Sequence, residues 1–246
     1  LSAINILDDV LIRQDFYDPD YSARRSRLFI LAADCLSPSG TCFCASMGTG
    51  PSAKTGYDIK LVELEDVFLL KIGSDVGLAV VNELEWEPAG AFHQKAAQQG
   101  LEKAAQMMGR KIENVESVPE TLLSQLESPL WTDVGQRCMT CTTCTLVCPT
   151  CFCWDTVDIT EITGKVTTRQ QVWDSCFNLA YSAQAGGNTR PTARARYRQW
   201  LTHKFGNWIH QFGTSGCVGC GRCITWCPAK IDVTAEIRKF QEAASQ

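Results

Sequence analysis

Cys138-x2-Cys141-x2-Cys144-x3-Cys148-Pro149 and Cys217-x2-Cys220-x2-Cys223-x3-Cys227-Pro228 are two copies of one run, and their reading decides the fold. Each has the bacterial ferredoxin spacing for a cubane [4Fe-4S] cluster, in which the fourth cysteine ligates the other cluster. Three closely spaced thiolates wrap one corner of an iron cube, and the proline stops the following helix from running back over the site. The spacing therefore assigns Cys138, Cys141, Cys144 and Cys227 to one cluster, and Cys217, Cys220, Cys223 and Cys148 to the other. Clusters that share ligands crosswise lie close together and act as a short wire for single electrons. Zinc is the plainer alternative, but structural zinc uses two C-x2-C pairs and needs neither a third cysteine nor a Cys-Pro ending. Disulfides within such tight spacing would compete for partners.

The chain has 246 residues, 45% of them apolar and 20% charged, enough for one large domain or two modest ones. Fourteen cysteines in a chain of this length suit a reducing compartment, where thiolates stay free to hold iron. Asp8, Asp9, Arg13, Asp15, Asp18 and Asp20 stand where a signal peptide would be apolar. The apolar stretches, such as 67–70 and 78–81, are too short to span a bilayer. A cytoplasmic protein with no membrane partner is expected. The chain starts at Leu1 rather than Met, so upstream residues are expected to have been omitted or removed.

The net charge of −4 is unevenly spread. Residues 175–230 contain no Asp or Glu but hold Arg190, Arg194, Arg196, Arg198, Lys204, Arg222 and Lys230, so this segment is +7 and the rest −11. Nucleic-acid binding is one reading of such a run. The segment joins the two cysteine runs, however, and a cluster with four thiolates is an anion that nearby cations favour. Electrostatic support for the clusters, or a docking face for an acidic partner, is preferred, and no nucleic acid is expected.

The pattern predicts an α+β chain: a mixed α/β domain over 1–130, then an α-helical ferredoxin domain with two [4Fe-4S] clusters over 131–246. Residues 28–33 read as a buried strand, and 57–64 and 67–72 as two more. Residues 89–108 read as a helix with Phe92, Ala96, Leu101, Ala104, Ala105 and Met108 on its core face, ending at Gly109. A linker over 117–128 leads to the first run. Between the runs, helices are expected at 170–184 and from Pro191 to about 211, stopping at Gly213. A last helix is expected at 233–244.

Six cysteines remain: Cys35, Cys42, Cys44, Cys151, Cys153 and Cys176. Small buried apolar residues are one reading. Two Cys-Phe-Cys pairs make a third [4Fe-4S] cluster, drawing four thiolates from this pool, an equal alternative. A thiol–disulfide site is less favoured, because the usual redox spacing is C-x-x-C. Gly48-Thr-Gly-Pro-Ser-Ala-Lys-Thr55 imitates a phosphate loop, but Ala53 replaces its second glycine and Pro51 removes an N–H, so a turn is expected. No G-x-G-x-x-G follows a strand, so nothing supports FAD or NAD(P) binding by this chain. His203 and His210 lie seven apart, on one face of the expected helix; packing is favoured over iron ligation for them. No Ser/His/Asp set suggests hydrolysis.

Arg137-Cys-Met-Thr-Cys-Thr-Thr-Cys-Thr-Leu-Val-Cys-Pro-Thr-Cys-Phe-Cys153 resembles the beta (iron–sulfur) subunit of cytosolic sulfhydrogenases, the bidirectional NAD(P)-linked nickel–iron hydrogenases. So do Trp173-Asp-Ser-Cys-Phe177, Ala185-Gly-Gly-Asn188, His203-Lys-Phe205 and Gly216-Cys-Val-Gly-Cys-Gly-Arg-Cys-Ile224. The N-terminal stretches Cys42-Phe-Cys-Ala-Ser-Met-Gly-Thr-Gly-Pro51 and Gly56-Tyr-Asp58 carry the resemblance over nearly the whole chain. The dicluster-bearing subunit of anaerobic sulfite reductase is a related member. The resemblance implies a subunit without a nickel–iron site of its own. It would pass electrons between the hydrogenase small and large subunits and a flavin/NAD(P)-binding diaphorase subunit. Family members carry a further cysteine upstream of the position of Leu1, which bears on any N-terminal cluster. An electron-transfer subunit of an oxidoreductase complex, hydrogenase type, is thus expected, with no catalytic residue of its own. The alternatives are the equivalent subunit of a sulfite reductase, or an enzyme reducing sulfur compounds at the spare thiols.

Overall fold

The computed structural model describes residues 1–13 and 17–245; Asp15 lies outside them. The chain divides into two compact units, one of residues 1–115 with 217–221, the other of 116–216 with 222–245. The division at 115 precedes the expected domain boundary at 130, and five residues of the second cysteine run fold with the first unit.

The first unit opens with helices α1 (Ser2–Leu11) and α2 (Pro19–Arg25). Their packing centres on buried Asp8, which accepts from Tyr21 Oη and Arg25 Nε. A sheet follows: β1 (Leu31–Ala33) runs parallel to β2 (Ile59–Glu63), and β2 pairs antiparallel with β3 (Phe68–Ile72) in register Ile59↔Ile72. Ile59 and Val62 of the central strand are buried and anchor the sheet in the core. The expected buried strand at 28–33 is shorter and more exposed. Only Leu31–Ala33 pair, and Leu28, Phe29 and Leu31 face outward, because β1 is an edge strand with a single neighbour.

Helices α3 (Asp75–Val81) and α4 (Ala91–Gln106) complete this unit. The Ser74 hydroxyl caps α3, accepting from Gly77 N–H and donating to Asp58. In α4 the inward face is Ala97 and Ala104, beside Gly100, where a Cβ would lie 3.1 Å from Leu36 Cδ2. Phe92 lies outside that stripe at 78% exposed, so the observed core face is rotated from the expected one.

In the second unit the expected linker at 117–128 is largely helical. Here α5 (Val118–Leu123) buries Val118, Pro119 and Leu122. Helix α6 (Leu130–Arg137) buries Trp131 and Val134, and Trp131 stacks against Phe240 with ring centroids 4.2 Å apart. Gly135 is where α6 meets the helix Ala193–Thr202: a Cβ there would lie 2.8 Å from Arg194 Cα. A one-turn helix, α7 (Thr143–Leu146), carries the middle of the first run.

The expected helix at 170–184 is not formed. Its first residues, 170–173, instead end a hairpin of β4 (Trp154–Thr160) and β5 (Thr167–Trp173), with Trp154 opposite Trp173, and turns follow. β-Branched residues on both arms and Gly164 at φ +69° in the turn favour the hairpin. The second unit is therefore helical with a hairpin inserted. A small bridge, β6 (Ala183–Gln184) with β7 (Gly187–Asn188), follows.

The helix expected from Pro191 is α8 (Ala193–Thr202); it begins after the Thr192 cap, whose hydroxyl accepts from Ala195 N–H. It widens into a π-turn at His203–Asn207, continues as α9 (Trp208–Phe212), and stops at Gly213, φ +71°. The short α10 (Arg222–Thr225) carries Cys223, and α11 (Val233–Ala244), capped by Asp232, buries Val233, Ile237 and Phe240.

Candidate metal centre

Helix α6 ends in an extended residue, Cys138, and the next turns are left-handed at Thr140 (φ +51°) and Thr142 (φ +65°). That winding carries Cys141 and then Cys144 to the same place as Cys138. Cys138, Cys141, Cys144 and Cys227 all line one cavity in the second unit, together with Cys223, and Phe177, Tyr197, Trp200 and Ile231 form its apolar wall. Burial, ahead of the charges of Cys138 and Cys141, raises the Cys144 thiol far above its ordinary value. The Ile231 N–H donates to Cys227 Sγ at 3.3 Å. Tyr197 is 3% exposed and its hydroxyl has no hydrogen-bond partner. A buried donor without an acceptor, in a cavity lined by thiols, fits a cluster whose sulfurs accept hydrogen bonds.

The second predicted ligand set draws on both units: Cys217 and Cys220 belong to the first, Cys148 and Cys223 to the second. Within the first unit, residues 217–221 pack on the 41–49 loop. Phe43 N–H donates to Gly219 O at 2.8 Å, and Thr49 Oγ1 to Val218 O at 2.6 Å. Gly219 (φ +66°) and Gly221 (φ +70°) allow this approach; Cβ atoms there would meet the backbone of Cys44 at 2.7 Å and of Thr41 at 2.2 Å.

The six other cysteines divide by unit. Cys35, Cys42 and Cys44 lie in the first, where Cys44 Sγ contacts Met108 Sδ at 3.7 Å. Burial, then the neighbouring Cys42 and Cys35, push the Cys44 thiol up to about 11. Cys151, Cys153 and Cys176 lie in the second and line a cavity with Tyr181, Arg190, His203, Lys204, Trp200 and Trp208. There a hydrogen bond from Cys176, ahead of burial, holds Cys153 down at about 6. Cys148 is likewise held low, by a hydrogen bond from Cys151 and by the Lys204 charge. Among the described residues, no three His, Cys, Asp or Glu side chains are gathered tightly enough to grip a single metal ion. A cubane cluster asks for a wider set, since each thiolate binds its own iron.

Lys204 is 4% exposed and donates to Thr150 Oγ1 at 2.8 Å and Gly216 O at 3.2 Å. Arg196 is fully buried and donates to the carbonyls of Cys176 and Leu179. Arg194 and Arg198 pair with Glu127. Much of the basic segment therefore holds loops around the cysteines. His203 lines the cavity, its pKa lowered by burial and then by Lys204 and Arg190, whereas His210 is exposed. The π-turn between them changes the helical phase, so the seven-residue spacing no longer places them on one face. The phosphate-loop mimic is a turn: Asp34 accepts from Ala53 N–H and Ser52 Oγ and pairs with Lys60.

A 4Fe-4S dicluster domain is matched over residues 137–231. Sulfhydrogenase 2 subunit beta of Pyrococcus furiosus is 34% identical over 249 aligned positions, covering 98% of this chain and 71% of that protein. This chain belongs to the sulfhydrogenase beta-subunit family. No solved structure matches it. The sulfhydrogenase beta family and the dicluster domain give the chain an iron–sulfur electron-transfer role. Among the described residues, no helix is long and apolar enough to cross a membrane.

For this sulfhydrogenase-type chain, sequence reasoning passes over Thr150, Tyr197, Trp200 and Trp208. One signal is available for the last three: an aromatic residue recurs through Tyr197, Trp200, Phe205 and Trp208 in an acid-free segment between metal-binding runs.

Proposed function

We propose that the chain relays single electrons through two [4Fe-4S] clusters, between a nickel–iron hydrogenase module and a flavin/NAD(P)-binding diaphorase subunit. Cys138, Cys141, Cys144 and Cys227 would hold one cluster, and Cys217, Cys220, Cys223 and Cys148 the other. When bound, such clusters supply one-electron chemistry without proton or group transfer. The observation that carries the reading is the cavity that gathers three thiols of the first run with Cys227 of the second. Around it two donors of the protein favour added negative charge, and two apolar rings keep water out. Tyr197 Oη is a donor inside the wall, Ile231 N–H points a dipole at Cys227, and apolar Phe177 and Trp200 exclude water.

Cysteine-to-serine exchange tests the assignment. Cys144→Ser and Cys227→Ser are expected to remove the same electron paramagnetic resonance signal from the dithionite-reduced protein. Loss of different signals sinks the crosswise ligation. Hydrogen-dependent reduction of NAD(P) by the co-purified complex, lost in both variants, is expected for the hydrogenase role. Turnover of sulfite or polysulfide by the isolated chain would favour a sulfur reductase instead.

A further inference from the structure

We propose that Cys151, Cys153 and Cys176 hold a third iron–sulfur cluster, in the cavity they share with Lys204. The inference rests on reading the chain as an iron–sulfur carrier, and it selects one half of the spare-thiol pool. Three observations carry it. First, the three thiols come from two distant segments, the stretch after Pro149 and the stretch after the β4–β5 hairpin, yet line a single cavity.

Second, the cavity's charge is one-sided. Lys204 and Arg190 line it, and none of its lining residues is a carboxylate. A cube held by thiolates is an anion, and a buried ammonium beside it offsets that charge. The π-turn presents His203 and Lys204 to the same cavity that Gln199 and Trp200 of α8 line.

Third, the cavity wall contains orphaned donors. Trp200 and Trp208 are 5% and 1% exposed, both line the cavity, and neither indole N–H has a hydrogen-bond partner. Buried donors ordinarily find an acceptor, and the sulfurs of a cluster are acceptors. Trp200 also lines the cavity of Cys138, Cys141, Cys144 and Cys227, so the two sites share a wall. A third cluster there extends the one-electron wire by a short step.

The test uses the full chain in its native complex, prepared anaerobically. Iron, acid-labile sulfide and zinc are counted for the wild type, for Cys151→Ala/Cys153→Ala/Cys176→Ala and for Cys138→Ala/Cys141→Ala. The triple variant is expected to lose about four iron and about four sulfide atoms, and the double variant a different set of about four. An unchanged iron count in the triple variant, or zinc in the wild type that disappears from it, overturns the proposal. If only the triple variant loses iron, the ferredoxin-cluster reading fails while the third site stands. Should removal of three buried thiols unfold the chain, Cys176→Ser alone serves. It is expected to alter a reduced-state resonance that Cys144→Ser and Cys217→Ser leave intact, and a spectrum identical to the wild type overturns the proposal.

Discussion

The Lys204 ammonium donates to Thr150 Oγ1 at 2.8 Å, and the Thr150 hydroxyl donates in turn to the Gly216 carbonyl at 2.8 Å. This short chain ties the end of the first cysteine run, the π-turn of the long helix and the residue before Cys217. All three groups are withdrawn from water, so each depends on the others for its hydrogen bonds. Thr150→Val deletes the hinge of the chain and leaves a buried ammonium short of an acceptor. A stability loss of about 1–3 kcal/mol is expected in anaerobic chemical denaturation. A loss under about 0.5 kcal/mol would show that the ammonium finds another acceptor at little cost.

Tyr197→Phe isolates the role of one buried hydroxyl. The hydroxyl has no protein partner, so its removal costs no protein hydrogen bond, and the metal-free chain should be as stable as the wild type or more so. With the cluster present the expectation is different. Losing a donor to an anionic centre disfavours the reduced form, so one midpoint potential should fall while the iron content stays constant. Redox titration followed by electron paramagnetic resonance reads both quantities. A potential that does not move removes the hydroxyl from the cluster's environment.

Gly219→Ala probes the packing of the second run on the 41–49 loop. The residue has φ +66°, and an added methyl would meet Cys44 N and Cα at 2.7 Å. Both the backbone conformation and the backbone clash oppose the substitution, so a destabilisation above about 1 kcal/mol is expected. Thermal unfolding of the two proteins side by side provides the measurement, and equal midpoints would contradict the close approach.

Arg137, the residue just before the first run, donates to Glu236 at 2.9 Å and to Asp133 at 2.8 Å. The Glu236 side chain is 5% exposed, so Arg137→Ala leaves a buried carboxylate supported only partly by Lys239 at 3.2 Å. Removing one partner of a buried pair is costly, but Arg137 is itself partly exposed and Lys239 remains, so about 1–3 kcal/mol is expected. The same change has a pH signature. Hydrogen bonds from Arg137 and then Lys239 hold Asp133 below the ordinary carboxylate value. A depressed carboxylate contributes stability above its unfolded pKa and loses it as pH falls through the folded pKa. Arg137→Ala should therefore flatten the acid side of the stability curve, and an unaltered acid limb would discount this network.

Several elements are legible without coordinates. The Tyr57–Leu64 and Val67–Ile72 strands appear as β2 and β3, and the helix at 233–244 has the expected bounds. These segments have periodic apolar residues and clear punctuation, such as Gly73 after β3 and Asp232 before α11. The end of the hairpin's second arm, from Gln170 to Trp173, reads as the start of a helix because Gln170 and Gln171 suit one. The opposite arm, across the Gly164 turn, supplies the ladder that decides the matter. Phe92 misleads the helix-face assignment in the same way: hydrophobicity names a candidate for burial, whereas packing selects Ala97 and Ala104.

The cysteine spacing by itself pointed to iron–sulfur chemistry, because thiolates a few residues apart on one loop have little freedom beyond wrapping a common centre, and the resemblance along the whole chain pointed to the family. Whether Cys151, Cys153 and Cys176 meet, and which donors and cations surround them, was decided only by the tertiary structure. Those residues are separated by a hairpin and faced by a π-turned helix, and no local spacing sets how such elements pack. Tertiary packing also left Tyr197, Trp200 and Trp208 with buried donors around thiol-lined cavities, a property that exists only once the chain has excluded water from them.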